Sequence, residues 1–297
     1  MVGYGRNPPD PAWPNGARLA LNLVLNYEEG GEACVLHGDS GSEKLLSEIV
    51  GAESFEGMRH LNMESLYEYG SRSGFWRLYR LLTSRDIPVT VFGVAMAMAR
   101  NPEAVAAMQE AQWEMASHGL RWLDYQFVPE EIERAHLNEA IRLHTELTGS
   151  RPAGFYLGKA SPNTHRLVAE EGGFAYHADS YADDLPYWDT QHGSAQLIVP
   201  YTLDANDMRF ATPQGFNTGD QFLTYLRDSV DQLLSEGDTH PAMLSVGLHC
   251  RLVGRPGRAA ALARFLDDIA ARDGIWITTR LAIAEHWRAR FPAPEVS

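Results

Sequence analysis

Two adjacent carboxylates stand where an apolar run stops, in Asn26-Tyr27-Glu28-Glu29-Gly30. Two histidines occupy comparable places further on, His118 in Ser117-His118-Gly119 and His249 in Gly247-Leu248-His249-Cys250-Arg251. A carboxylate can take a proton from water, and an imidazole can carry one near neutral pH. Glu28, Glu29, His118 and His249 are therefore the candidate catalytic groups. Either glutamate can be the base, because their adjacency does not say which one faces a ligand. The structural alternative is that the glutamates open a solvated loop and that each histidine is an ordinary satisfied side chain. The same type of residue at several independent strand ends argues against it.

Further polar and aromatic groups fall at other such ends. Tyr156 and Lys159 follow a short apolar run, and Asp204 and Asn206 lie in Asp204-Ala205-Asn206-Asp207-Met208-Arg209, a segment suited to grip an amide or urea. Arg251 is a candidate for a substrate carboxylate. Asp and Asn also build tight turns, which is the plain reading of the 204–209 segment.

These residues need elements that bring them together. The 17–24 run is short and apolar, as expected for a buried strand, and similar runs occur at 87–94, 113–118, 154–157, 175–178, 197–200, 243–248 and 275–278. Helical spacing fills the gaps at 74–85, from 101 onward, and at 129–148, 163–171, 220–235, 257–272 and 281–290. About eight strands joined by helical crossovers predict an α/β fold, a single distorted (β/α) barrel with the strand ends on one face. No linker divides the chain, so residues 1–297 are expected to form one domain. Residues 31–73 form a long insertion with patchy helical signal, placed to cover the site or a subunit contact.

The formal net charge of −14 is spread along the chain, which argues against nucleic acid or an anionic membrane surface as partner. No apolar run approaches the ~20 residues that span a bilayer, and the N-terminus lacks a signal-peptide core. Two cysteines without a CxxC pair fit a reduced, cytoplasmic setting. The expected partner is a small-molecule substrate.

With these motifs in order, the chain resembles the polysaccharide deacetylase (NodB-homology) superfamily. Asn26-Tyr27-Glu28-Glu29-Gly30 stands for its acidic first motif, His118 with Trp122 for its His-x-x-x-His pair, Arg151-Pro152-Ala153-Gly154-Phe155 for its third motif and Leu248-His249 for its last. That resemblance implies a distorted (β/α) barrel and hydrolysis of a C–N bond. Members hold a metal with one Asp and two His, whereas this chain would offer Glu29, His118 and Trp122. An indole nitrogen only donates, which leaves two ligands where a dedicated divalent ion typically wants at least three from the protein. No catalytic metal and no other cofactor are expected.

The longer motifs are similar to the metal-independent allantoinases within the superfamily. They are 3–9, 26–39, 117–119, 182–188, 200–215 and 247–257. This implies opening of the allantoin ring to allantoate by a cytoplasmic homo-oligomer, with a tetramer as the expected form, and with Asn26, Trp122, Tyr156, Lys159, Asp204, Asn206 and Arg251 binding the substrate. Leu157 and Lys159 replace the Thr and Arg typical of that branch, which leaves another cyclic ureide or imide, or a linear amide, in play. A metal-dependent deacetylase of an N-acetyl sugar and a non-catalytic small-molecule binding protein are the competing readings.

Overall fold

The computed structural model describes residues 3–296. Its centre is a nine-stranded sheet: β1 (Leu19–Tyr27), β2 (Val89–Gly93), β3 (Glu114–Ser117), β4 (Gly154–Phe155), β5 (Tyr176–His177), β6 (Tyr187–Asp189), β7 (Gln196–Ile198), β8 (Ala242–His249) and β9 (Ile275–Ile277). The strand order is β6-β7-β5-β4-β3-β2-β1-β8, with β9 also on β1, and β6–β7 is its antiparallel pair. The sheet curls into a half-barrel of the NodB type, as expected, but its pairing is an open path. Between β8 and the 184–206 segment there is a single isolated bridge, Asn206 to Gly247, with bonds from the Met243 N–H to the Asp184 carbonyl and from the Ser245 N–H to the Thr202 hydroxyl. The sequence pattern does not reveal β6, whose three residues are all half-buried.

The helices are α1 (Leu61–Tyr69), α2 (Phe75–Thr83), α3 (Ala95–Arg100), α4 (Pro102–Glu110), α5 (Glu130–Thr148), α6 (Thr164–Glu171), α7 (Gly219–Glu236), α8 (Pro256–Ala270) and α9 (Arg280–Arg290). Capping residues set several of their ends. Asn101 accepts from the Ala104 N–H ahead of Pro102, and α5 starts on three glutamates and stops at Gly149 in the left-handed region. The 31–73 insertion departs from the patchy loop expected of it. From Leu61 it is helical, and a π-helical turn at 70–74 joins α1 to α2.

β1 is the axis of the molecule. One side pairs with β8 along its length, and the other pairs first with β9 at 19–21 and then with β2 at 23–27. Its side chains alternate strictly. Leu19, Leu21, Leu23, Leu25 and Tyr27 pack in the core under the helices, whereas Ala20 and Val24 face a second core inside the barrel with Phe92, Tyr156 and Tyr201. That interior face carries the polar side chains Asn22 and Asn26, both buried.

Candidate active site

The alternation of β1 sets the fate of the two glutamates. Continued past Tyr27, it sends Glu28 to the barrel interior with Asn26 and turns Glu29 toward the helices. Glu28 lines a cavity of about 300 Å³ at the C-terminal ends of the strands, together with Asn26, His118, Trp122, Tyr156 and His249. Lys159, Asn206, Tyr201 and the Leu45–Leu46 pair of the insertion complete much of the wall. Glu29 does not reach this cavity; it borders a separate one on the helical side. Of the two candidate bases, Glu28 is the one placed to meet a ligand.

Glu28 is surrounded by two imidazoles and a guanidinium. Its Oε1 lies 3.3 Å from His118 Nε2 and 3.3 Å from His249 Nε2, while Arg251 Nη2 donates to Oε2 at 2.6 Å. Burial alone would raise its pKa, but the charges of His249 and Arg251 and the imidazole hydrogen bonds hold it well below the usual carboxylate range. His249 shows the mirror image. Burial works against its charge, yet Glu28 on one side and Asp207 on the other push its pKa up to about 9, so it is an imidazolium at neutral pH. Asp207 is bound at three points: Oδ1 faces His249 Nδ1 at 2.6 Å, and Oδ2 accepts the backbone N–H groups of His249 (2.8 Å) and Val253 (2.9 Å).

Tyr201 stands over this group with its hydroxyl in an unusual state. Its oxygen accepts the amide hydrogens of Asn26 (3.0 Å) and Asn206 (3.2 Å). Neither amide can be reversed without loss, because Asn26 also donates to the Leu248 carbonyl and Asn206 Oδ1 accepts the Met208 N–H. Both acceptor positions of Tyr201 are thus filled from the protein. Its own proton is left to donate into the cavity it lines.

The opposite wall is aromatic and basic. Lys159 Nζ lies 3.2 Å from the centre of the Trp122 ring, and among the described residues no carboxylate pairs with it. Burial lowers its pKa. The 157–159 turn that carries it is held by Asp179, which accepts the N–H groups of Leu157 (2.7 Å) and Gly158 (2.6 Å) and is itself oriented by His177 at 3.0 Å.

Two other expected substrate groups lie elsewhere. Asp204 borders a neighbouring cavity and accepts the Tyr225 hydroxyl at 2.7 Å, because the chain turns outward before Asn206 caps the helical turn at 207–211. Arg251 is buried behind the glutamates, with its donors directed to them, and does not line the cavity. Conversely, Asp207 and Tyr201 belong to the site although no role follows for them from sequence. Asn at a cap followed by Asp in the first turn was the available signal for Asp207.

A divalent metal does not fit the residues present. At the three positions that the family would use, Trp122 has no lone pair to give, and Glu29 has one oxygen, Oε1, occupied by the Arg251 backbone N–H (3.1 Å) and Nη1 (3.3 Å) and the other, Oε2, buried without a partner. Among the described residues no group of three His, Cys, Asp or Glu side chains is placed to hold one.

Comparison with known proteins agrees with this architecture. The polysaccharide deacetylase pattern matches residues 63–177. A putative polysaccharide deacetylase of Schizosaccharomyces pombe is 39% identical over 312 aligned positions, covering 98% of this chain and 97% of that protein. The chain belongs to the polysaccharide deacetylase family. Two solved structures superpose closely. A probable polysaccharide deacetylase from Pseudomonas aeruginosa PAO1 is 57% identical with a TM-score of 0.97, covering 99% of both chains. Puue allantoinase is 55% identical with a TM-score of 0.97, covering 99% of this chain and 98% of that one. The protein is accordingly a hydrolase of the polysaccharide deacetylase family, with the family's metal-ligand positions altered.

Proposed function

We propose that this protein opens a cyclic amide or ureide of the allantoin kind by metal-independent addition of water to a ring carbonyl. The observation that carries the reading is the shared Glu28 oxygen, which meets His118 and His249 while Asp207 keeps His249 charged. The 55% identity to Puue allantoinase supports the same substrate class.

The flat ring lies between Trp122 and Tyr156, and its carbonyl accepts the Tyr201 proton and faces Lys159. Glu28 Oε1 takes a proton from water as the water oxygen bonds to the carbonyl carbon. The ring C–N bond then breaks, and its nitrogen takes the proton of His249 Nε2. Each transfer helps the other, because loss of the His249 charge removes part of what depresses Glu28. Glu28 returns its proton to His249 across their 3.3 Å contact, so both groups are reset and one water has been added. His118 orients Glu28, and the Tyr201 hydroxyl stabilises the oxyanion that forms.

The test is a hydrolysis screen of allantoin, hydantoins, succinimides and N-acetyl sugars with and without a chelator. Chelator-insensitive ring opening is expected. Chelator-sensitive release of acetate would instead establish the second reading, deacetylation of a linear acetamide, which the name of the Pseudomonas relative favours. No turnover of any substrate would leave the non-catalytic binding protein. The homo-oligomeric state and cytoplasmic setting are parts of the same proposal.

A further inference from the structure

Arg251 is a guanidinium enclosed in protein, 1% exposed and only two residues beyond β8. A buried charge persists only where its partners replace water, and here each of the three guanidinium nitrogens donates to a protein oxygen. Nη2 donates to Glu28 Oε2 at 2.6 Å, Nη1 to Glu29 Oε1 at 3.3 Å, and Nε to the Leu46 carbonyl at 2.8 Å. The Tyr67 ring lies 4.2 Å from its central carbon and the Trp122 ring 5.5 Å away. Arg251 is not among the residues that line the substrate cavity.

Those neighbours include two of the positions at which relatives bearing a metal would ligate it, Glu29 and Trp122. One oxygen of the carboxylate that would serve as ligand, Oε1, is committed to Arg251 and confined by the helix at Gly70, where an added Cβ would overlap it, while Oε2 is buried without a hydrogen-bond partner. We propose that Arg251 is the resident cation of this site: it takes the place of a divalent ion between the paired glutamates, aims Glu28, and excludes metal by occupation.

The substitution has a chemical consequence. A guanidinium supplies fixed charge and directed donors but has no vacant coordination position, so it neutralises the acid pair without polarising a substrate carbonyl. That task passes to hydrogen-bond donors, and the unengaged proton of Tyr201 is placed for it. Arg251 is thus a positioning residue that acts through Glu28.

Occupation and ligand loss can be separated by restoring the ligand alone. Trp122→His returns the missing imidazole but keeps Arg251, whereas R251M/W122H removes the cation as well. Equilibrium dialysis against Co2+, with the visible d–d spectrum as signature, should show no stoichiometric uptake by the native protein or by W122H. The double variant should take one equivalent, lost again when Glu29→Gln is added. Equal uptake by W122H and R251M/W122H, or none by a folded double variant, overturns the proposal. R251Q/W122H carries the same comparison if the methionine variant does not fold.

The catalytic side of the inference rests on the proposed reaction. There R251M should lose about 10³-fold in kcat, and R251K should recover part of it because the charge returns without the two-pronged geometry. Native-like turnover by R251M overturns Arg251 as the positioning cation. A native enzyme inactive on every cyclic amide overturns the proposed function instead, and the Co2+ comparison still decides the inference about Arg251.

Discussion

At the scale of residues, the site works by unequal treatment of similar groups. Glu28 and Glu29 are neighbours in sequence, yet one is held ionised by the charges of His249 and Arg251 and the hydrogen bonds of both imidazoles, and the other is raised, first by burial, with the Glu28 charge adding to it against the pull of Arg251. Glu28→Gln should lose at least about 10³-fold in kcat, and Glu29→Gln much less; equal losses in steady-state kinetics would contradict the assignment. Tyr201→Phe removes one oxygen that both asparagines bond. It should lose on the order of 10²-fold in kcat with little change in KM, as expected for a donor used mainly in the transition state.

The charge on His249 sets the pH behaviour. Its folded pKa of about 9 lies above the 6.5 of the free side chain, so its contribution to stability is complete below pH 6.5 and disappears as the pH rises through 9. For Glu28 the sign is reversed: its contribution is present above 4.5 and is lost only on acidification well below that value. The rate profile should therefore hold well into the acid range and fall on the alkaline side near pH 9. Asp207→Asn removes one of the two charges that raise His249, so the alkaline limb should move to lower pH in a kcat profile.

Much of this was legible in the residue types. Glu28, His118 and His249 stand at strand ends as the sequence suggests, and the two asparagines of β1 even carry the answer to which glutamate turns inward. Asn22 and Asn26 share parity with Glu28, so polar residues recur on one face while leucines fill the other. The position of Arg251 was not legible, because a basic residue near a site reads the same whether it faces the ligand or stands behind the base. Its buried partners come from segments about 200 residues away.

At the scale of elements, the paired helices α1 and α2 fix the back of the site. The π-helical turn between them lays two glycines against the strand ends: a Cβ on Gly70 would overlap Glu29, and one on Gly74 would overlap the Cys250 carbonyl. Side-chain packing is replaced here by direct backbone approach. Gly70→Ala should destabilise the fold by about 1–3 kcal/mol, the usual cost of overpacking, measurable as a lower Tm together with a reduced kcat. Helix α1 escapes a reading from hydrophobic periodicity because only Met63 and Tyr67 are buried along it. β6 escapes for a related reason: it is short and half-exposed, with no apolar alternation to mark it.

At the scale of the whole molecule, β1 gathers its neighbours from both ends of the chain. It pairs with residues 242–249 and 275–277 as well as with 89–93, and Glu28 meets Arg251 across a separation of 223 positions. The barrel class was readable from the alternation of strand-like and helical runs. The open path of the sheet was not, since pairing between distant short strands leaves no local pattern. A chain ending at residue 240 lacks β8 and β9, and with them most of the β1 pairing and the His249 and Arg251 partners of Glu28. Such a truncation should give no near-ultraviolet circular dichroism characteristic of packed aromatics.

The placement of β8 also governs how the protein comes into being during synthesis. The acidic motif leaves the ribosome about 220 residues ahead of its counter-charges at 249 and 251. Until then two carboxylates end a strand that has no permanent neighbour on one side, a state that favours solvent over burial. The charge arrangement around Glu28 therefore cannot close before residue 251 has been made, and until then the nascent chain carries the acid pair without its counter-charges.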